Sequence, residues 1–258
     1  MQPVPVVWDG KEFEWGTLDA CVLRSVSDYY LKYDSFLEWI SQIGGSMPFW
    51  NPPALVAWNS DKAHLRFLAA RGVPTIPTHW LERGEEVRLA EILDAHGWRD
   101  AVVKPTIGVG AKELYRVGKS LDADQYALDG LLERYGVMVQ PCLPSVEEQG
   151  EISLVFIESE FTHAVRKIPK PGDFRVQGSW GGTSVRCEAS PDELAVAQLV
   201  LDCLDEEPLF ARVDLVAGPL GDPCLIELEL VEPILFFTEN PSAARQLAKA
   251  IRRRLKSS

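Results

Sequence analysis

No run of about 18 apolar residues occurs anywhere in the chain, so nothing in it reads as a membrane-spanning helix. The first residues also lack the charged, apolar and small-residue succession of a secretory signal. A cytoplasmic protein is expected on both counts. An excess of positive charge is missing too. Asp and Glu number 38 against 26 Lys and Arg, a formal charge of −12, which argues against a broad nucleic-acid or anionic-membrane surface. The five cysteines (Cys21, Cys142, Cys187, Cys203, Cys224) are odd in number and show no Cys-x-x-Cys spacing, so neither a zinc site nor a disulfide framework is indicated. No Ser-His-Asp arrangement has persuasive spacing; His64 and His96 fall in helical segments and read as structural. No internal repeat or low-complexity tract is visible. What is present, 258 residues that are 46% hydrophobic and 25% charged, is enough for a substantial core and a two-lobed enzyme.

The most informative stretch is Phe210-Ala-Arg-Val-Asp-Leu-Val, a seven-residue loop, then Leu225-Ile-Glu-Leu-Glu-Leu. Both flanks alternate, so Arg212 and Asp214 share one face of a strand and Glu227 and Glu229 share one face of the next. Ile226, Leu228 and Leu230 are expected on the other face. The loop Ala217 to Pro223 is rich in turn residues and predicts an antiparallel hairpin. Pairing about its centre sets Asp214 opposite Glu227 and Arg212 opposite Glu229, although a one-residue slip would separate the faces. Three carboxylates in one patch destabilise a sheet unless neutralised, and a hard divalent cation seeks oxygen ligands of this kind. Mg²⁺ is the natural candidate, with Mn²⁺ a second. A half-exposed hairpin with its acids in water fits this stretch as well when it is taken alone.

A second set lies upstream in Asp100-Ala-Val-Val-Lys-Pro-Thr-Ile-Gly-Val-Gly. Ala101 to Val103 read as a buried strand with Lys104 at its end and Pro105 stopping regular pairing. Gly108 and Gly110 follow, where missing side chains let backbone N–H groups approach an anion. Leu114 to Val117 resume a strand. A Walker loop would run from strand to helix with its Lys after the glycines, and a dinucleotide fingerprint needs a third glycine and a helix, so both are excluded. An ordinary hairpin turn explains the Gly-x-Gly equally well.

Together these segments resemble the ATP-grasp superfamily, whose nucleotide site combines a Val-Val-Lys-Pro strand, a glycine loop, an Arg-x-Asp strand and a later Glu-x-Glu or Glu-x-Asn strand. Asn59-Ser-Asp-Lys62 is similar to the segment carrying the first phosphate-contacting Lys, Val137 to Cys142 to the hinge bordering adenine, and Gly150 to Phe156 to the strand after it. Trp58 to Lys62, His163 to Pro169 and Leu228 to Pro233 most resemble prokaryotic glutathione-synthetase-like ligases, nearest the branch with the D-cycloserine-forming ligase. The resemblance implies an α/β fold, α+β in layout, with two subdomains clasping ATP. It also implies a catalytic Arg212 and Lys167, nucleotide contacts from Lys62, Lys104, Gly108, Gly110, Gln140, Pro141, Cys142 and Glu151, and a metal site at Asp214, Glu227 and Glu229. Small carboxylate and amine substrates are implied as partners, with no nucleic acid and no membrane; a homo-oligomer is left open. Two departures stand out. The first β–α unit of the family's N-terminal domain is expected to be absent, and Lys112 replaces a small loop residue and is expected to face solvent.

The punctuation divides the chain into a shortened N-terminal α/β domain over 1–57 and an ATP-grasp domain over 58–258, itself split into 58–139 and 140–258. The first part holds a strand near 20–23 and an amphipathic helix near 35–43. Ser60 is expected to cap the next helix, which ends at Gly72. A strand near 75–80, helices near 85–96 and 122–135, strands at 152–157, 162–167, 210–216 and 224–230, and helices at 191–203 and 242–256 complete the outline. Gly178 to Ser184 reads either as a flexible turn or as a border of the acceptor site, and Arg252 to Arg254 as a solvated run or as charges answering the helix's C-terminal dipole. The functional expectation is an ATP- and Mg²⁺-dependent ligase that joins a carboxylate to a nitrogen, within one molecule or between two. The alternatives are a non-catalytic nucleotide-binding relative, or a phosphotransferase that stops at the phosphorylated acid.

Overall fold

The computed structural model describes residues 1–10 and 13–257. Near the start, strands Cys21–Val22 (β1) and Phe49–Trp50 (β2) pair in parallel across the helix Tyr33–Gly44 (α1). Phe36, Ile40 and Ile43 recur on one face of α1 at helical spacing and bury against Trp8, Tyr29 and Phe49. Asn51 ties this unit to the rest. Fully buried, it donates to the carbonyls of Phe210 and Leu230 at 2.9 and 2.7 Å and accepts from the N–H groups of Leu209 and Phe210. Two short helices follow, Pro53–Asn59 (α2) and His64–Ala70 (α3). Pro53 suits the first turn of α2, where its missing N–H has no partner to lose.

A four-stranded antiparallel sheet comes next, built from His79–Leu81 (β3), Ala101–Pro105 (β4), Tyr115–Val117 (β5) and Val137–Pro141 (β6) in the order β3-β6-β4-β5. Helices Leu89–His96 (α4) and Leu121–Leu132 (α5) cover one face through Leu89, Ile92, Leu128 and Leu131 against Ala101, Val103 and Val139. After the short helix Pro144–Gln149 (α6), the chain enters a five-stranded antiparallel sheet. Its strands are Glu151–Ile157 (β7), Glu160–Ile168 (β8), Thr183–Cys187 (β9), Phe210–Ala217 (β10) and Pro223–Glu229 (β11), in the order β11-β10-β7-β8-β9. Helix Pro191–Asp202 (α7) packs on one face and Pro241–Ser257 (α8) on part of the other. α7 starts on a capping box, Ser190 accepting from the Glu193 N–H while the Glu193 side chain accepts from Ser190 N–H.

Alternation in the central strands creates the site. On β7, Ile152, Leu154 and Phe156 enter the core under α7, whereas Val155 and Ile157 meet the α8 side. Glu151 and Ser153 fall on that second face beyond the reach of α8. On β10 the same face carries Phe210, then Arg212 and Asp214. A polar window thus opens in an otherwise apolar sheet.

Several expectations need correction. Ile226 does not join Leu228 and Leu230 in the core. The ladder pairs Asp214 with Glu227 but Leu215 with Leu225, so a bulge absorbs Ile226 and turns it into the cleft, while Leu225 takes the core position. Ser60 does not cap α3; its hydroxyl donates to the Ala57 carbonyl, and Asp61 accepts from the Ala63 N–H instead. Pro105 remains in register with Val137, so β4 continues through it on the β6 side. The strand expected from 75 starts at His79, and the helix expected from 85 starts at Leu89. The arginine run does reach the last turn of α8, as a dipole role requires, but it is not merely solvated, since Arg253 and Arg254 both pair with Glu158. The divisions placed at 57/58 and 139/140 fall inside α2 and β6. Strand β9 has no counterpart among the expected elements.

Candidate active site

The hairpin of β10 and β11 has the register that alternation and turn chemistry predict, with Arg212 opposite Glu229 and Asp214 opposite Glu227. Carboxylate oxygens of Asp214, Glu227 and Glu229 all lie within 4.8 Å of one another. Asp214 is the hub. With no exposed surface, it accepts from Ser153 Oγ at 2.6 Å, Lys167 Nζ at 2.7 Å, and Arg212 Nε and a terminal guanidinium nitrogen at 2.9 and 3.0 Å. Lys167 also reaches Glu151 at 2.8 Å, and Arg212 also donates to Glu229. Gly150 makes the Lys167–Glu151 pair possible. Its φ is +76°, and a Cβ there would lie 2.1 Å from the Lys167 carbonyl oxygen, so only glycine lets β7 begin this close to β8.

The opposite wall comes from the four-stranded sheet. Lys104, at the end of β4, is buried, and its ammonium has no hydrogen-bond or ion-pair partner among the described residues. Lys62, just ahead of α3, donates to the Gly108 carbonyl at 2.7 Å and stands 3.3 Å from Glu227. The glycine loop is clasped again where Trp180 Nε1 donates to the Gly110 carbonyl at 3.2 Å and Arg134 pairs with Glu113 at 2.5 Å. Gly110 has φ +67°, in the left-handed region glycine enters without strain. Lys112 is exposed as expected, though it also borders the cleft and donates to Tyr30 Oη.

One cavity of about 600 Å³ gathers Lys62, Lys104, Gly108, Gly110, Glu151, Lys167, Arg212, Glu227 and Glu229, with Asp214 directly behind. Gln140, Pro141 and Cys142 line an adjoining, mostly apolar hollow that shares Lys104, Glu151, Gln177 and Ile226 with it. Every expected site residue is therefore brought to one cleft between the two sheets. Ser25, Ser27, Gln177, Glu232, Ile234 and Phe236 border the same cavity and were missed. Glu232 had a signal, an acid just past the Glu-x-Glu strand and before Pro233. Ser25 and Ser27 had none, since they come from the separate N-terminal unit.

Charge balance explains the protonation pattern. Burial alone would raise Asp214, yet Arg212 and Lys167 overcome it and hold it well below the usual carboxylate range. Burial opposes the charges of Lys167 and Arg212, but Asp214 with Glu151 or Glu229 holds both above their ordinary values. Burial likewise works against Glu227, and Lys62 with Lys104 outweighs it, so Glu227 is lowered. Glu229 goes the other way. Burial, opposed by Arg212 but aided by Glu227 and Asp214, pushes it up to about 8. Lys104 is lowered by burial, which Glu227 only partly offsets. The acid cluster thus still lacks positive charge, and three converging carboxylates are the oxygen donor set a hard divalent cation takes.

The family model described as the prokaryotic glutathione synthetase ATP-grasp domain matches residues 74–233. The chain belongs to this ATP-grasp family. Residues 1–51 match the model of the N-terminal domain of D-cycloserine synthetase DcsG. Cycloserine biosynthesis protein DcsG of Streptomyces lavendulae is 32% identical over 96% of this chain and 87% of its own length. The crystal structure of D-cycloserine synthetase DcsG superposes with a TM-score of 0.87 at 30% identity, covering 96% of this chain and 88% of the other. Glutathione synthetase of Prochlorococcus marinus strain MIT 9313 is 28% identical over 76% of the chain, which spans 62% of that relative's length. D-alanyl-alanine synthetase A from Vibrio cholerae shares the fold alone, with a TM-score of 0.66 and 14% identity over 93% of this chain and 77% of that one. As an ATP-grasp ligase, the protein falls in a family that uses ATP and a divalent metal. No helix among the described residues is long and apolar enough to cross a membrane.

Proposed function

We infer that the protein activates a carboxylate with ATP as an acylphosphate, which a nitrogen nucleophile then captures. The acid oxygen attacks the γ-phosphorus while the bond to the β-bridging oxygen breaks and ADP leaves. The nitrogen then attacks the carbonyl carbon, the C–O bond to phosphate breaks, and phosphate departs as the nitrogen loses a proton. The observation that carries this reading is the hairpin cluster, three carboxylates interlocked with Arg212 and Lys167 and facing Lys62 and Lys104 across one cavity. Mg²⁺ held by Asp214, Glu227 and Glu229 would supply positive charge against the β- and γ-phosphates.

The chain's own residues account for the rest. Lys62 and Lys104 meet the phosphates as point charges, and the unpartnered ammonium of Lys104 is already aimed at the cleft. Arg212, whose fork is fixed on Asp214 and which also donates to Glu229 and the Ile234 carbonyl, keeps one terminal N–H and its positive charge for the transferred phosphoryl group. The apolar hollow beside Gln140, Pro141 and Cys142 takes the base. The clasped glycine loop keeps water from the acylphosphate, which would otherwise hydrolyse. Likeness to a cycloserine biosynthesis protein supports closure within one molecule. Cycloserine opened at its ring amide bond is O-aminoserine, which carries an acid and a nucleophilic nitrogen together.

The test is ADP release with Mg²⁺–ATP and a panel of amino acids that includes O-amino-D-serine and O-amino-L-serine, with the product weighed by mass spectrometry. Glu227→Gln in the same assay should lose roughly a thousandfold or more in rate while staying folded, because its charge faces the phosphates and its strand packs through Leu228. Near-parent activity in that variant would remove the hairpin from the catalytic site.

A further inference from the structure

Three residues beyond the metal-type cluster, Glu232 is held in the active-site wall without a bond to its carboxylate. The other acids of the cavity are all answered: Glu151 by Lys167, Glu227 by Lys62, and Asp214 and Glu229 by Arg212. Glu232 accepts no hydrogen bond and joins no ion pair among the described residues, although it is half-buried and lines the cavity. Its backbone is fixed. Arg24 donates to the neighbouring Pro233 carbonyl at 3.1 Å and lies 5.0 Å over the Phe210 ring, so the main chain beside the acid is anchored to the sheet. Burial, reinforced by Glu227, outweighs the more distant charges of Arg212, Arg24 and Lys62 and pushes it up to about 7.

Which cation belongs there follows from position. Glu232 is not among the carboxylates that converge within 4.8 Å of one another, so it stands apart from the metal-type cluster. It also lies outside the apolar hollow with Cys142; it lines a smaller hollow beside Tyr29, Lys62 and Glu229, and the main cavity, which Ser25, Ser27, Ile234 and Phe236 border as well. That is space for a small substrate beside the phosphoryl-transfer groups, with hydroxyls and an apolar surface around one unpaired negative charge.

We propose that Glu232 is a specificity-determining residue that takes the α-ammonium of an amino-acid substrate, leaving that substrate's carboxylate to face Arg212. An acid without a cationic group would meet the Glu232 charge uncompensated and be rejected. The proposal rests on the ligase reading above and adds to it the charge type of the substrate.

The experiment compares kcat/KM for O-amino-D-serine and O-amino-L-serine with that for their α-N-acetyl forms, in the full chain and in Glu232→Gln. The parent should prefer the free α-amine by roughly tenfold or more. Glu232→Gln should lose that preference through a higher KM for the amino acid, with the KM for ATP and the Mg²⁺ midpoint unchanged, and Glu232→Asp should restore part of it. Melting with and without Mg²⁺–ATP checks the fold, and Glu232→Ala stands in should Gln fail to fold. Unchanged preference in the variants, or an effect confined to Mg²⁺ dependence, overturns the assignment while the ligase reading stands. If no amino acid stimulates ADP release by the parent, the ligase substrate reading fails and the assignment fails with it.

Discussion

On the five-stranded sheet Asp214 accepts four hydrogen bonds from three side chains, while across the cleft Lys104 makes none among the described residues. Both are buried and charged; Lys104 lines the cavity, and Asp214 stands behind the Arg212 and Lys167 that line it. On the first wall each cation has an anion and Ser153 supplies a neutral donor, so Arg212 and Lys167 are held without a ligand although the acids there outnumber the cations. The second wall is open, with an unanswered ammonium next to a loop held by its carbonyls and by one ion pair. Burying a charge costs stability unless it is paired, so the two arrangements serve different ends. The paired network spends its charges on rigidity and fixes where Arg212 and the carboxylates point. Lys104 carries a standing cost, which in the proposed function phosphate oxygens would relieve on binding.

The largest break in this comparison comes from Asp214→Asn. Its amide would bring N–H donors towards Lys167 and Arg212 while removing the charge that both rely on. Breaking a buried ion-pair network in this way commonly costs about 3–5 kcal/mol of folding stability. Denaturant unfolding of Asp214→Asn beside Glu227→Gln measures it. A loss under about 1 kcal/mol, or an equal loss in Glu227→Gln, would mean that Asp214 is not the structural hub.

Lys104→Met tests the other wall and should separate folding from binding. Removing an unpaired buried ammonium should leave stability unchanged or raised, because the methionine fills the same space without a desolvated charge. ATP affinity should fall by about 1–3 kcal/mol, the range for a charge-assisted hydrogen bond to phosphate. Calorimetric titration with Mg²⁺–ATP beside thermal melting gives both numbers. Parent-like affinity would end the phosphate assignment, and a large stability loss would show a partner for Lys104 that the geometry does not reveal.

The same contrast governs what the sequence discloses. Asp214 and Glu227 are legible because alternation over two flanks and a turn-rich loop leave few registers, and the apolar set on the other face rewards only one of them. The bulge at Ile226 is not, since one extra residue in the ladder leaves no mark on the alternating pattern that precedes it. β9 escapes for another reason. Thr183 to Val185 and Arg186 are exposed at the sheet edge, so no buried face imposes a period of two. Lys62 and Lys104 are legible through the family resemblance, whereas Ser25 and Ser27 reach the cavity only because Asn51 docks a separate unit against β10 and β11. Contacts made at such separation have no local signature. Glu158, which receives both Arg253 and Arg254 from α8, is a further case.

The smallest expected effect concerns the loop on the open wall. Trp180 comes from the five-stranded side and donates its indole N–H to Gly110, so it clasps one wall to the other, while Arg175 stacks 3.5 Å from its ring. Trp180→Phe deletes the donor and keeps a ring for Arg175. One partly exposed hydrogen bond contributes about 0.5–1 kcal/mol, which corresponds to a roughly two- to fivefold larger open population of the loop. Trypsin cleavage after the exposed Lys112 reads that population when opening is fast relative to cleavage. The variant should be cut two- to fivefold faster, roughly, and Mg²⁺–ATP should slow both proteins to a common rate, because phosphates that engage Lys62 and Lys104 hold the loop without the indole. Equal cleavage of parent and variant would show that Trp180 touches the loop without holding it. A difference that persists under saturating Mg²⁺–ATP would place the main clasp in the five-stranded wall, and the division between a finished wall and an open one would have to be redrawn.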